Sequence, residues 1–181
     1  EMWRDELQAW SIARDSKSLF DLHKNLRYES HPILWHGCLH ILSNLWDSPS
    51  IMKLFNYLLA LGSLAMLLFF APFPTWVKGG LAFHYFLFYE YLILSRNYGL
   101  GLFLVFLATC LYSQGKRGWP FGVTLFLLCQ TSVYGLILAV AFLALAIYEK
   151  SSQRRFIAAF VVIAAVVTVL QIIPPSDSAV M

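Results

Sequence analysis

Residues Thr131–Tyr148 read TSVYGLILAVAFLALAIY, eighteen in a row without a charge. The hydrocarbon core of a bilayer is about 30 Å thick and takes about 20 apolar helical residues to cross, so this stretch reads as a membrane span. Residues 54–71, 98–113 and 156–173 pass the same test. Two weaker stretches lie at about 80–95 and 120–130. The second, bounded by Pro120 and by Gln130-Thr131-Ser132, is expected to be a short or tilted helix sheltered by its neighbours. Without it the following segment would have to reverse its orientation. Composition agrees, since 59% hydrophobic residues, 13% charged residues and a mean hydropathy of +0.65 lie outside the range of soluble domains. The expected fold is therefore all-α: a polytopic transmembrane helix bundle over residues 51–181, with about six spans, two of them short.

Residues 1–50 are different in kind. The first thirty carry five Lys/Arg and six Asp/Glu, leaving eight basic and four acidic residues for the other 151. Lys and Arg in short connections set orientation. If residues 1–50 are extracytoplasmic, the connections at 72–79, 114–119 and 149–155 become cytoplasmic and hold six basic residues: Lys78, Lys116, Arg117, Lys150, Arg154 and Arg155. The opposite joints hold only Lys53 and Arg96. The bias places the acidic loop outside, on the bundle face that also presents Arg96, Gln130 and Asp177. The net charge of +3 is thus a topology signal; no basic stripe interleaved with aromatics points to nucleic acid.

Within the loop, Trp3, Leu7 and Trp10 share one face of a helix expected from about Arg4 to Ala13. Ser18-x-x-Asp21 resembles a capping box for a second short helix. Residues 32–47 are too short and too polar to span. Pro32 suits a first helical turn and Trp35 and Trp46 suit an interface, so a helix lying in the outer membrane boundary is expected. The chain starts at Glu1 without a signal peptide and ends shortly after Ile172-Ile173-Pro174-Pro175, which reads as a piece of a longer protein whose preceding helix and C-terminal half are missing.

Chemistry is carried by few residues. Asp5 and Glu6 point about 100° apart on a helix, so one can face a site while the other faces elsewhere. Glu29 stands ahead of His31-Pro32, and the residue before a proline is held in extended backbone, which fixes how the loop enters the interface helix. His36 and His40 are spaced i, i+4 as in an HxxxH metal box. With five histidines in all and no second box, an interfacial role explains them better, and no metal site is assigned. Cys38, Cys110 and Cys129 form no CxxC pair and indicate neither disulfide nor zinc. Glu90 and Arg96 fall in or at the end of a spanning segment, where each ionisable group costs roughly 2.5–3.5 kcal/mol at the centre. Their six-residue separation puts them on different faces, so Glu90 needs a partner from elsewhere; Asn97 shares its face if the helix continues.

Three elements in order, Asp5-Glu6 at the start of the loop, Glu29-x-His31-Pro32 opening the juxtamembrane helix, and Ser95-Arg96-x-Tyr98-x-Leu100, resemble the GT-C superfamily of integral-membrane glycosyltransferases. The nearest branch holds the protein O-mannosyltransferases and the aminoarabinose transferases of lipid A. The resemblance runs from Trp3 to about Leu107; later helices match only in hydropathy. It implies transfer of a sugar from a polyprenyl-phosphate donor to a lipid, glycan or protein acceptor on the outer side of a membrane, by default a bacterial inner membrane. Asp5 and Glu6 map to the catalytic acids. Glu29, His31, Arg96 and Tyr98 map to substrate binding, and Glu90 is grouped with them. Asp5 would take the acceptor's proton. Arg96 would stabilise the leaving phosphate. His31 stands where many members have Lys. A divalent ion between Asp5 and Glu29 is compatible with the resemblance, though nothing in the sequence calls for it. Without the C-terminal half, where acceptor selection often resides, these residues alone need not be active.

A non-catalytic membrane module, such as a transporter or flippase half or a scaffold subunit, is the competing expectation. A glycosyltransferase should gather Asp5, Glu29 and Arg96 round one outward cavity continuous with a lipid-facing groove. A transporter should show internal repeats and a polar path to the midplane.

Overall fold

The computed structural model describes residues 2–29 and 31–173, and among these every regular element is helical. Asp177 and the chain end after Ile173 lie outside the described residues.

Three helices form the acidic part. Helix α1, Arg4–Asp15, begins where the Glu6 carboxylate reaches back to the Trp3 N–H at 2.7 Å, and Asp5 and Glu6 in its first turn suit the positive end of the helix dipole. Its buried stripe is Glu6, Trp10 and Ala13, not the expected Trp3–Leu7–Trp10 face: Trp3 and Leu7 are exposed. The cause is Glu6, whose other oxygen accepts the Ser95 N–H at 2.6 Å and so turns the helix one position towards the bundle. Helix α2, Leu19–Asn25, is capped by Ser18 Oγ on the Asp21 N–H at 3.2 Å, while the Asp21 carboxylate takes the Lys17 N–H, one residue before the position a capping box would use. Helix α3, Leu34–Leu45, lies against α1, with His40 Nδ1 2.9 Å from the Ala13 carbonyl oxygen. Trp35 stacks on Phe55 at 6.0 Å.

Helix α4, Ser50–Ala65, runs without a break into a π-helical turn, Met66–Phe70. The combined 21 residues and the 19 of α10, Arg154–Ile172, are the two helices long and apolar enough to cross a membrane. Three shorter apolar helices lie between them: α7 (Asn97–Ser113), α8 (Trp119–Cys129) and α9 (Val133–Tyr148). The expected helix over about 80–95 is broken instead. Helix α5, Thr75–Ala82, stops at Phe83, a π-helical segment follows over Tyr85–Glu90, and α6, Tyr91–Ile93, ends where Leu94 turns extended. Gly79 and Gly80 weaken α5. The extended Leu94 is what carries the Ser95 N–H to Glu6.

From α7 onward the chain runs up and down. At one end Tyr112 Oη donates to Glu149 Oε2 at 2.7 Å, Arg117 pairs with the same oxygen at 2.9 Å, and its guanidinium lies 3.9 Å from the centre of the Tyr112 ring. The basic connections 114–118 and 149–153 therefore share that end. At the other, Asn97 Nδ2 donates to the Thr131 carbonyl at 2.9 Å, Gln130 Nε2 to Thr168 Oγ1 at 2.9 Å, and the Ile33 N–H to Gln171 Oε1 at 3.0 Å. Gln130 is thus not presented on the outer face as the sequence suggested; it is buried. Helix α8, eleven residues long and so only about 16 Å, turns back inside the bundle and spends its terminal amide on α10.

Close approach of backbones fixes this geometry. A Cβ on Gly135 would run into the Leu128 carbonyl oxygen, and one on Gly99 would stand 3.0 Å from the Tyr91 carbonyl oxygen. One core unites the two expected parts, with Trp10, Ala13, Trp35 and Leu39 in the same cluster as Met52, Leu104, Leu125 and Ile157. Helices α1 and α3 pack directly on the bundle.

Candidate functional site

A cavity of about 190 Å³ opens where α1, the 29–36 segment and the α6–α7 turn meet, lined by Asp5, Gln8, Ala9, Glu29, His31, Pro32, Trp35, His36, Arg96, Asn97 and Tyr98. Asp5 and Gln8 reach it from one face of α1, one turn apart. Pro32, Trp35 and His36 come from one face of α3 and the residues leading into it. Arg96 arrives at the N-cap of α7, held there by the bond between Ser95 and Glu6.

Its walls are paired across elements. Arg96 Nη2 donates to Asp5 Oδ2 at 2.8 Å, a bridge spanning 91 residues, and Gln8 Nε2 donates to Glu29 Oε1 at 2.8 Å. The His31 ring nitrogen Nδ1 lies against the Glu29 carbonyl oxygen. Arg96 Nε is buried without a partner. Five residues singled out in the sequence, Asp5, Glu29, His31, Arg96 and Tyr98, are therefore brought to one cavity.

Two of the acids are placed elsewhere. Glu6 is 2% exposed, both its oxygens are committed to backbone N–H groups, and it does not line the cavity; its place is structural, as a buried bracket between α1 and the turn before α7. Glu90 sits on a neighbouring groove. Because the helix stops at Leu94, Asn97 is not on its face as expected, and the Asn97 amide is bonded to Thr131 instead. Among the described residues no cation or hydrogen-bond donor pairs with the Glu90 carboxylate.

That groove, of about 650 Å³, runs along α7, α8 and α9 over Gly101, Leu102, Val105, Leu128, Gly135 and Leu138. It shares Arg96, Asn97 and Tyr98 with the cavity, so the two meet at the start of α7. Tyr98 and Tyr91 pack at 5.4 Å beside this junction.

Gln8, Trp35 and His36 were not among the residues the sequence pointed to as a site. The three-residue step from Asp5 to Gln8 and the 32–35–36 spacing on α3 are signals that a helical wheel carries, but only once the two helices are known to face each other. For a divalent ion the donor set is poor: among the described residues no three His, Cys, Asp or Glu side chains converge, Asp5 is engaged by Arg96, and His40 is turned to Ala13.

His36 is buried, and loss of solvation, reinforced by the neighbouring His31, lowers its pKa from 6.5 to about 4. Asp5, Glu29 and Arg96 are the charged groups on the same cavity. Between pH 6.5 and 4 the unfolded chain binds a proton that the folded chain refuses. The stability owed to a neutral His36 is therefore complete above pH 6.5 and is lost as pH falls through that window. Relative to a His36→Gln variant, acidification from pH 7 to 5 should cost the native protein about 2 kcal/mol. Thermal unfolding of both forms in detergent measures it; equal pH dependence would mean that the ring accepts its proton in the folded state.

Comparison with known protein families, with characterised proteins and with solved structures finds no match for this chain.

Proposed function

We propose that the chain is a multi-pass membrane glycosyltransferase of the GT-C kind, which moves a sugar from a polyprenyl-phosphate donor to an acceptor on the extracytoplasmic face. The observation that carries this reading is the junction at Arg96. A small cavity with two carboxylates meets an apolar groove at a single guanidinium. A prenyl chain in the groove and a sugar in the cavity would put the phosphate between them, at Arg96.

The step then follows from the wall residues. The acceptor hydroxyl or amine attacks the anomeric carbon, a new bond forms there, and the carbon–oxygen bond to phosphate breaks. The electron pair leaves with polyprenyl phosphate, which Arg96 stabilises by paired N–H contacts. The proton of the acceptor passes to Asp5. Arg96 and Asp5 bind each other at 2.8 Å, so an arriving phosphate would compete for the guanidinium and free the carboxylate for its role. Glu29, held by Gln8, is available to sugar hydroxyls.

A membrane setting is supported by the outer surface. Leu54, Leu58 and Leu61 on α4, Ile137 and Val140 on α9, and Val162, Val166 and Leu170 on α10 are exposed, an apolar surface suited to lipid. The groove is lined mainly by apolar residues, with its charged groups Glu90 and Arg96 accompanied by Asn97, Thr131 and Ser132, which suits a lipid chain better than the continuous polar path a transporter needs.

Arg96 provides the test. In membranes carrying the protein, Arg96→Ala is expected to reduce sugar transfer by about 100-fold or more. Arg96→Lys should recover only part of it, because an ammonium lacks the paired donors. Transfer kinetics with polyprenyl-phosphate mannose read both variants; full activity in Arg96→Ala would remove the phosphate from that position.

A further inference from the structure

Resting on the glycosyltransferase reading, we propose that His36 is the sugar-selecting residue of the cavity, its imidazole hydrogen-bonding one hydroxyl of the donor sugar. His36 lines the cavity, is 6% exposed, and its Nδ1 is buried with no hydrogen-bond partner. A buried nitrogen without a partner is costly, and a ligand that supplies one recovers that cost.

The chemistry of the wall narrows what that ligand offers. Arg96 only donates, and the carboxylates of Asp5 and Glu29 only accept. A neutral imidazole does one at each nitrogen, so Nδ1 can meet a hydroxyl in either sense, and a hydroxyl can reciprocate either way. Burial and His31 keep the ring neutral across the physiological range.

The position is rigid. Trp35, adjacent in sequence and 3% exposed, is stacked on Phe55, and the following turn of α3 is tied to α1 by His40 and the Ala13 carbonyl. A ring held on a packed helix recognises one hydroxyl position better than a loop residue such as His31 would.

The test compares donors that differ at one hydroxyl. Membranes containing the whole protein are given polyprenyl-phosphate mannose, glucose and galactose, and the monodeoxy analogues of the best donor. Native protein should prefer one sugar and lose transfer with the analogue that lacks the contacted hydroxyl. In His36→Leu, transfer of the best donor should fall by about 10- to 100-fold, while the matching deoxy donor falls little, so that the ratio between them approaches one. His36→Asn, which keeps a hydrogen-bonding atom near the Nδ1 position, should retain part of the discrimination. It also carries the test if His36→Leu does not fold, as judged by gel filtration in detergent. Unchanged ratios, or an equal loss on every donor, would overturn the proposal and leave the glycosyltransferase reading standing. Absence of transfer from every donor by native protein would overturn both.

Discussion

Asp5→Asn is expected to reduce sugar transfer by about 10²- to 10⁴-fold, the range that a positioned general base supplies. Asparagine keeps the size and polarity of the side chain and can still accept from Arg96, but it cannot take the acceptor's proton. Stability should barely change, since Asp5 is exposed and its bridge to Arg96 is of the kind worth about 0–1 kcal/mol. The two effects are therefore separable: kcat, normalised to folded protein, falls, while the unfolding midpoint stays within a few degrees. Transfer within a factor of three of native would show that Asp5 does not carry the proton.

Glu6→Gln should do the reverse. Glu6 is adjacent to Asp5 yet buried, and its two oxygens accept the Trp3 N–H at 2.7 Å and the Ser95 N–H at 2.6 Å. A glutamine accepts with one oxygen only, and its NH₂ faces a second N–H. One backbone donor is then left buried and unpaired beside another donor, at a cost of about 2–4 kcal/mol. Because Ser95 precedes Arg96, the loosened turn also moves the guanidinium, and KM for donor should rise with the loss of stability. Thermal unfolding in detergent, set beside transfer per folded molecule, decides it. A variant as stable as native but inactive would return Glu6 to the chemistry.

The contrast between these neighbours marks how far the sequence could be read. A 100° separation on α1 says that only one of the two acids faces the site, but not which. The choice is made by Ser95, 89 residues away, whose N–H lies beyond the end of a broken helix. The same long-range bond displaced the apolar face expected on α1. The apolar stretches at 54–71, 98–113, 131–148 and 156–173 were legible as helices because uninterrupted apolar runs leave little choice, though only the first and last belong to helices long enough to cross a membrane. The 80–95 segment was not, because Gly79-Gly80 and the demand for an extended Leu94 act against an otherwise apolar pattern. Asp5, Glu29 and Arg96 were legible as a group through the order of their motifs. Gln8 and His36 were not, since each becomes a wall residue only when α1 and α3 face each other.

The proposed function requires first of all that a polyprenyl-phosphate sugar be the donor. The most direct measurement is transfer of radiolabelled sugar by membranes carrying the protein, from polyprenyl-phosphate donors and, in parallel, from the corresponding sugar nucleotides. Label is expected from at least one lipid-linked donor and none from the nucleotides when lipid-linked intermediates are prevented from forming, and transfer is expected to be lost in Asp5→Asn. Folded, membrane-inserted protein that transfers from no lipid-linked donor would contradict the proposed function.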